Sequence, residues 1–354
     1  MGPGPSNPYP AVTMALAGPL VGHLDPEFLA LLDETNERLR GLFQTSNALT
    51  LPISGTGSAG MEASFVNFVR PGDVVVVGVN GVFGERMCDV AGRLGADVVR
   101  VESAWGEPLD PSRLTSAHPA PAMIALVHAE TSTGVRNDIE AVGGDKGDAL
   151  LLVDTVTSLG GIEVALDAWG VDIAYSGTQK CLGVPPGLSP LTVSNRAAER
   201  IVERPSSWYL DLNLIGKYAT ASSSGGRVYH HTAPVAMVAA LHAGLGVLLD
   251  EGVAAARERH RSCGQLLADG LEDLGLELLV KSEHRLPQLT TVRVPAGTDE
   301  ASVRAQLLDV YGIEIGAGAG QLAGQIWRIG CMGHTARRRN VLTLLAALGE
   351  VLGR

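Results

Sequence analysis

Lysine is almost missing from this chain. Of its 27 lysines and arginines only Lys146, Lys180, Lys217 and Lys281 are lysines. Positive charge in general is short: the formal net charge is −11, which argues against a nucleic-acid partner, since that needs a basic face to neutralise phosphates. The two basic clusters, "ARERHR" at 256–261 and "ARRRN" at 336–340, read as solvated helix ends. Cysteine is scarce as well. Cys88, Cys181, Cys263 and Cys331 lie far apart without CxxC spacing, which excludes a disulfide framework and a zinc site and suits a reducing compartment. No apolar run approaches the roughly 18 residues of a membrane span. The opening "MGPGPSNPYPAV" lacks the basic and apolar regions of a secretory signal. A cytoplasmic, soluble protein with no membrane partner is expected.

What is present is a well-filled interior. The chain has 354 residues, 45% of them apolar and 18% charged, which is enough for about two domains. After a Pro/Gly-rich opening, residues 25–45 carry apolar side chains at helical spacing behind an Asp-Pro start. Strands and helices then alternate. "ALTLPI", "DVVVVG", "DVVRVE", "AMIALVHAE", "ALLLVDTV" and "DIAYSG" read as strands; "GMEASFVNFV" and "GERMCDVAGRLG" read as helices. Near-continuous Val/Ile/Leu strands between helices predict an α/β fold whose mostly parallel sheet is covered on both faces. A long apolar helix is expected over about 234–262, followed by a smaller α+β region with strands near "LELLVK", "QLTTVRVP" and "GQIWRIG". The expected division is a large domain over 1–250, with an N-terminal arm over about 1–20, and a small domain over 251–354.

In open parallel sheets, ligands bind beyond the carboxyl ends of the strands. The strand-end segments "SGTGSAG" (54–60), "NGVFGER" (80–86), "HAETSTG" (128–134), "DTVTS" (154–158) and "SGTQK" (176–180) are therefore candidates to line one pocket. "SGTGSAG" follows a strand and opens a helix, so free backbone N–H groups and the helix dipole favour an anion there; a plain tight turn is the alternative. Asp154 ends the apolar strand "LLLVD", where an acid is costly unless it meets a cation or strong hydrogen bonds; it could also cap the following turn. No cluster with metal-ligand spacing surrounds it. Lys180 sits among small residues at the end of another strand, where desolvation can strip its proton and make it a nucleophile. A phosphate cradle, an acid for a pyridinium nitrogen and an imine-forming lysine are the fittings of pyridoxal phosphate. Arginine cannot form an imine, which accounts for a lysine at 180 in an arginine-rich chain.

The stretches "GPGPSN", "FQTSNALTLPISGTGSAGMEA", "VNGVFGERM", "TSTGV", "LLVDTVTSLGG", "DIAYSGTQKCLGVPPG", "WYLDL", "YHHTAPV" and "WRIGCMG" span nearly the whole sequence. Through them the chain resembles the class V aminotransferases of the alanine–glyoxylate and serine–pyruvate type, within the fold-type I pyridoxal 5'-phosphate enzymes. The resemblance implies that Lys180 forms the imine and shuttles protons, and that Asp154 holds the pyridine nitrogen. It implies that Thr56, Gly57, Ser58 and Gln179 contact the phosphate. Phe83 would stack on the ring, where many relatives carry tryptophan, Val156 would cover the other face, and Thr131 would lie near the 3-oxygen. Arg328 would bind the substrate carboxylate; read without the resemblance, it could instead close the small domain by a salt bridge. Tyr229 and Thr232 would reach the phosphate of a neighbouring subunit, making a homodimer with shared sites. That segment, 222–235, begins with small, flexible residues. His230 and His231 read as packing or hydrogen-bonding residues and not metal ligands, and Trp105 and Trp208 as core or rim residues. The implied reaction is ping-pong transfer of an amino group from alanine or serine to glyoxylate or pyruvate. The alternatives are a ureidoglycine–glyoxylate or specialised-pathway aminotransferase, a lyase or desulfurase using Cys331, or a non-catalytic cofactor-binding protein.

Overall fold

The structure is a computed structural model, and it describes residues 1–220 and 227–354. The small residues at 222–226, expected to be flexible, lie outside the described residues. Seven strands make the central sheet: β1 (Leu49–Ser54), β2 (Val74–Val79), β3 (Asp97–Glu102), β4 (Met123–Val127), β7 (Leu150–Asp154), β8 (Ile173–Tyr175) and β9 (Leu188–Val193). Between β4 and β7 lies a short hairpin of β5 (Ala129–Glu130) and β6 (Val135–Arg136). The sheet order is β1-β9-β8-β7-β4-β2-β3, and β9 alone runs against its neighbours. Val75, Val76, Val77, Leu151, Leu152 and Val153 have no exposed surface, because helices cover both faces. That double burial is why these strands read as unbroken apolar runs.

A second sheet packs β10 (Leu289–Arg293), β12 (Ile326–Gly330) and β11 (Gly316–Ala317), in the order β10-β12-β11. The main apolar core runs from Tyr9 to Ala256, and a separate one joins Cys263 to Leu348 around the fully buried Trp327. The fold is the mixed α/β architecture with a mostly parallel central sheet that the alternating pattern predicts.

Several elements depart from the expectations. The long helix over 234–262 is two helices, Val235–Glu251 and Val253–Asp273, bent by 84°. Gly252, at φ +86°, makes the break, in a backbone region that residues with a Cβ rarely enter. Among the described residues, no single helix is long and apolar enough to cross a membrane. "LELLVK" forms no strand: Leu279 N–H donates to Thr291 and Leu278 bridges Val292, but the pairing does not continue. "LSPLTV", unassigned by its pattern, is the buried strand β9; Pro190 gives no N–H, yet its carbonyl accepts from Ser176 N at 2.7 Å. "ARERHR" is not a solvated helix end. It lies inside the second helix, where His260 is fully buried and accepts from Gly333 N at 3.0 Å, and Arg259 pairs with Glu251 at 2.6 Å.

Candidate active site

The five strand-end segments meet beyond the carboxyl edge of the sheet. β7 and β8 pair with Asp154 opposite Tyr175, so both side chains share one face. Tyr175 donates its hydroxyl to Asp154 Oδ2 at 2.6 Å, and Val156 N–H donates to Oδ1 at 2.7 Å. Asp154 therefore caps its turn as well as facing the pocket. It is 2% exposed and forms no ion pair among the described residues. Burial raises its carboxyl pKa to about 6 despite the Tyr175 bond, which pulls the other way.

Lys180 follows β8 by five residues and is the one buried lysine of the four. Lys146 pairs with Asp172, Lys281 lies 3.5 Å from Glu107, and Lys217 is exposed. Lys180 Nζ donates to the Pro3 carbonyl at 2.5 Å, and Gly4 lies against its side chain so closely that a Cβ there would collide. The opening segment is tied down by Ser6, whose N–H donates to the Gln179 carbonyl and whose hydroxyl donates to that of Lys180, both at 2.7 Å. Burial lowers the Lys180 pKa to about 8, helped by the nearby Arg328 cation. Lys180 and Asp154 sense each other's charge yet form no ion pair. A buried base and a buried acid thus stand at the ends of neighbouring strands, each held by neutral partners and neither in an ion pair among the described residues.

The helix Gly57–Val66 starts at the pocket with Thr56 as its N-cap, and no side chain caps it. A Cβ at Gly57 would lie 3.0 Å from Val156 Cγ2 and 3.6 Å from the Ser176 carbonyl, so the glycine permits three loops to approach closely. Thr56 and Ser58 are exposed at this helix start, where unpaired N–H groups favour an anion. Gln179 Oε1 is buried without a partner; with its amide turned over, the same position offers an N–H to an anion. Phe83 is half-buried, with the Arg86 guanidinium 5.1 Å above its ring, and Val156 is half-buried. Thr131 is buried and shares a hydrogen bond with Thr157. These features fit a phosphorylated, positively charged aromatic ring.

Arg328, on β12, donates to the Ala317 carbonyl at 2.7 Å and the Thr131 carbonyl at 3.4 Å. It forms no salt bridge among the described residues, so the domain-closing alternative lacks its carboxylate; burial lowers its pKa. Tyr229 and Thr232 stand apart. Both are exposed, Tyr229 at 55%, and their hydroxyls are 3.4 Å from each other. His231 Nε2 shares a bond with Ser54 Oγ at 2.8 Å, and His230 Nε2 with the Trp208 carbonyl at 3.1 Å. Trp105 is half-buried and Trp208 is exposed at the surface. Cys331 is fully buried in the turn after β12; hydrogen bonding to Cys263 and burial raise its pKa well above the usual thiol value. A lyase nucleophile would need the opposite.

Tyr175 lay outside the candidate segments, and Thr157 and Glu130 lay inside them without being singled out. Glu130 is fully buried and its pKa is raised by burial. Its Oε1 accepts from Ser132 N at 3.0 Å and Ser132 Oγ at 2.6 Å, and its Oε2 accepts from Phe83 N at 3.2 Å. It thereby joins the Phe83 loop to the Thr131 loop. The signal was there: like Asp154, Glu130 is an acid ending a run of apolar residues.

Known proteins resemble the chain over nearly its whole length. Residues 14–334 match the family described as Aminotransferase class-V. The alanine–glyoxylate aminotransferase of Drosophila melanogaster is 40% identical over 361 residues, covering 99% of this chain and 91% of that protein. The (S)-ureidoglycine–glyoxylate transaminase of Bacillus subtilis is 39% identical over 377 residues, covering 99% and 90%. The crystal structure of an alanine–glyoxylate aminotransferase from Nostoc sp. superposes with a TM-score of 0.96 at 51% identity, covering 99% of this chain and 94% of that one.

Proposed function

The chain belongs to the class V aminotransferase family, and from that premise we propose that it moves an amino group from alanine or serine to glyoxylate or pyruvate, using pyridoxal 5'-phosphate bound between Lys180 and Asp154. One observation carries the reading: a lysine and an aspartate are buried at the ends of neighbouring strands, and neither is ion-paired among the described residues. Lys180 would hold the cofactor through Nζ. Asp154 would keep a proton on the ring nitrogen, its carboxylate charge offset by that of the pyridinium. Thr56, Gly57, Ser58 and Gln179 would receive the phosphate, and Phe83 and Val156 would enclose the ring, with Thr131 at its 3-oxygen.

When bound, the cofactor supplies an aldehyde for the amino group and a ring that accepts the electron pair left by the departing α-proton. The protein's part is to orient and to move protons. Arg328 would receive the substrate carboxylate with its two-pronged guanidinium, fixing the α-carbon toward Lys180. With a pKa near 8, Lys180 can take a proton and return it close to neutral pH. Donor and acceptor then react in turn, in ping-pong order.

A second reading keeps the chemistry and changes the donor to ureidoglycine, because the ureidoglycine–glyoxylate relative matches as well as the alanine–glyoxylate one. Glyoxylate is common to both names and is the acceptor this reading favours. The experiment adds alanine, serine or ureidoglycine to the cofactor-loaded protein and follows the cofactor absorbance. A competent donor abolishes the starting spectrum, and glyoxylate restores it. A spectrum unchanged by every donor would overturn both donor readings, whereas a response to ureidoglycine alone would select the second.

A further inference from the structure

A cavity of about 490 Å³ opens on the side of the molecule between the turn at 161–163, the helix Val253–Asp273 and the segment 282–290. Four arginines line it: Arg136, Arg257, Arg261 and Arg285. Two are neutralised locally, Arg261 by Glu258 at 2.6 Å and Arg285 by Glu272 at 3.0 Å. The other two are not. Arg136 has only a 3.4 Å contact to the Glu283 carbonyl. Arg257 forms no ion pair among the described residues, its Nε is buried without any partner, and burial lowers its pKa. The remaining acids on the wall do not answer it: Glu283 accepts from Ser282, and the exposed Glu163 raises the Arg257 pKa from a distance without forming an ion pair. Arg257 therefore presents an unpaired charge and an unsatisfied Nε–H at the cavity wall. Ile162, Leu286 and Pro287 add apolar wall beside it.

We propose that this cavity binds a small organic anion, its phosphate or carboxylate head on Arg257 and Arg136 and its apolar body against Ile162, Leu286 and Pro287. The guanidinium fork suits either head group. The site is separate from the Lys180 pocket and does not depend on how that pocket is read. It does lie directly behind it: a Cβ on Gly161 would reach Cys181 Sγ, and Gln288, next to Pro287, donates to the Thr157 carbonyl at 2.9 Å.

The test titrates the cofactor-loaded protein calorimetrically with 1-naphthyl phosphate, 1-naphthoate, 1-naphthol and inorganic phosphate at fixed ionic strength. At least one naphthyl anion should bind saturably and more tightly than naphthol or inorganic phosphate; the tighter of the two identifies the head group. Arg257→Met and Arg136→Gln should each weaken that binding about tenfold or more. Arg257→Lys should recover part of it, and transamination by Arg257→Met should stay within about twofold of the parent. Binding that survives Arg257→Met but is lost in Arg328→Gln would put the probe in the Lys180 pocket and overturn the proposal. Naphthol binding as tightly as the anions, or no saturable binding, would overturn it too.

Discussion

The two charged residues at the centre of the pocket were legible from elementary chemistry. An acid ending an apolar strand and a lone lysine after another are each expensive, and their cost marks them out. What the sequence could not show is that the acid has no cation in this structure. Tyr175 and Val156 N–H satisfy its oxygens, and burial holds its pKa at about 6. The stability consequence has a definite sign. The folded-state pKa lies above the ordinary 3.8, so the neutral form favours folding. That contribution is complete below about pH 4 and is lost as pH rises through about 6. Asp154→Asn removes the buried charge, keeps the Val156 bond on its amide oxygen and reverses the Tyr175 bond, with Nδ2–H donating to the hydroxyl. The reversed bond adds a cost that does not vary with pH, whereas the charge penalty does. The stability of the cofactor-free variant relative to its parent should therefore rise by about 2–3 kcal/mol between pH 4 and pH 7. Thermal unfolding across that range checks it, and a difference that does not grow with pH would contradict it. The same substitution should lower transamination by roughly 10² or more, since it removes a charge that acts on the ring nitrogen. Activity within twofold of the parent would mean that Asp154 serves its turn alone.

At the scale of elements, strands buried on both faces were read closely, because nothing polar interrupts them, whereas breaks and caps were not. The apolar pattern continues through residues 234–262, and only the backbone angle of Gly252 reveals the bend between two helices. β9 was hidden by its central proline and by serine, and the segment at 276–281 has strand-forming residues without a continuous partner. Gly252→Ala tests the bend cleanly, because its Cβ would touch nothing within 4 Å. The cost is backbone strain alone, so urea unfolding should show a loss of about 1–3 kcal/mol. No loss would show that the bend does not require the positive φ. Glu130 acts at this scale too, fastening the start of the helix Val82–Arg93 to the 131–133 loop. Glu130→Ala leaves the Phe83 and Ser132 donors unpaired in a buried setting, and denaturation should register about 2–4 kcal/mol of lost stability. A stability equal to the parent would mean that water or neighbouring groups replace the carboxylate.

At the scale of the molecule, one chain brings together the 54–58, 80–83, 130–133, 154–157 and 176–180 segments with Arg328, but leaves Tyr229 and Thr232 at the surface. Their exposure was not readable from the sequence, since "YHHT" carries no periodicity that separates a buried from an open position. If they complete a neighbour's site, mixing Lys180→Ala chains with Tyr229→Phe, Thr232→Ala chains under subunit exchange should restore part of the activity. Each mixed dimer would then hold one site with both defects and one with neither. Confirmed mixed dimers without recovery would confine the segment to its own subunit. In both proposed readings Lys180 would hold the cofactor, and this can be measured on the intact protein. Borohydride reduction of the protein loaded with pyridoxal phosphate, followed by peptide mass mapping, should place the pyridoxyl group on Lys180 and leave Lys146, Lys217 and Lys281 unmodified. A label on any of those three, or none on Lys180, would contradict the account.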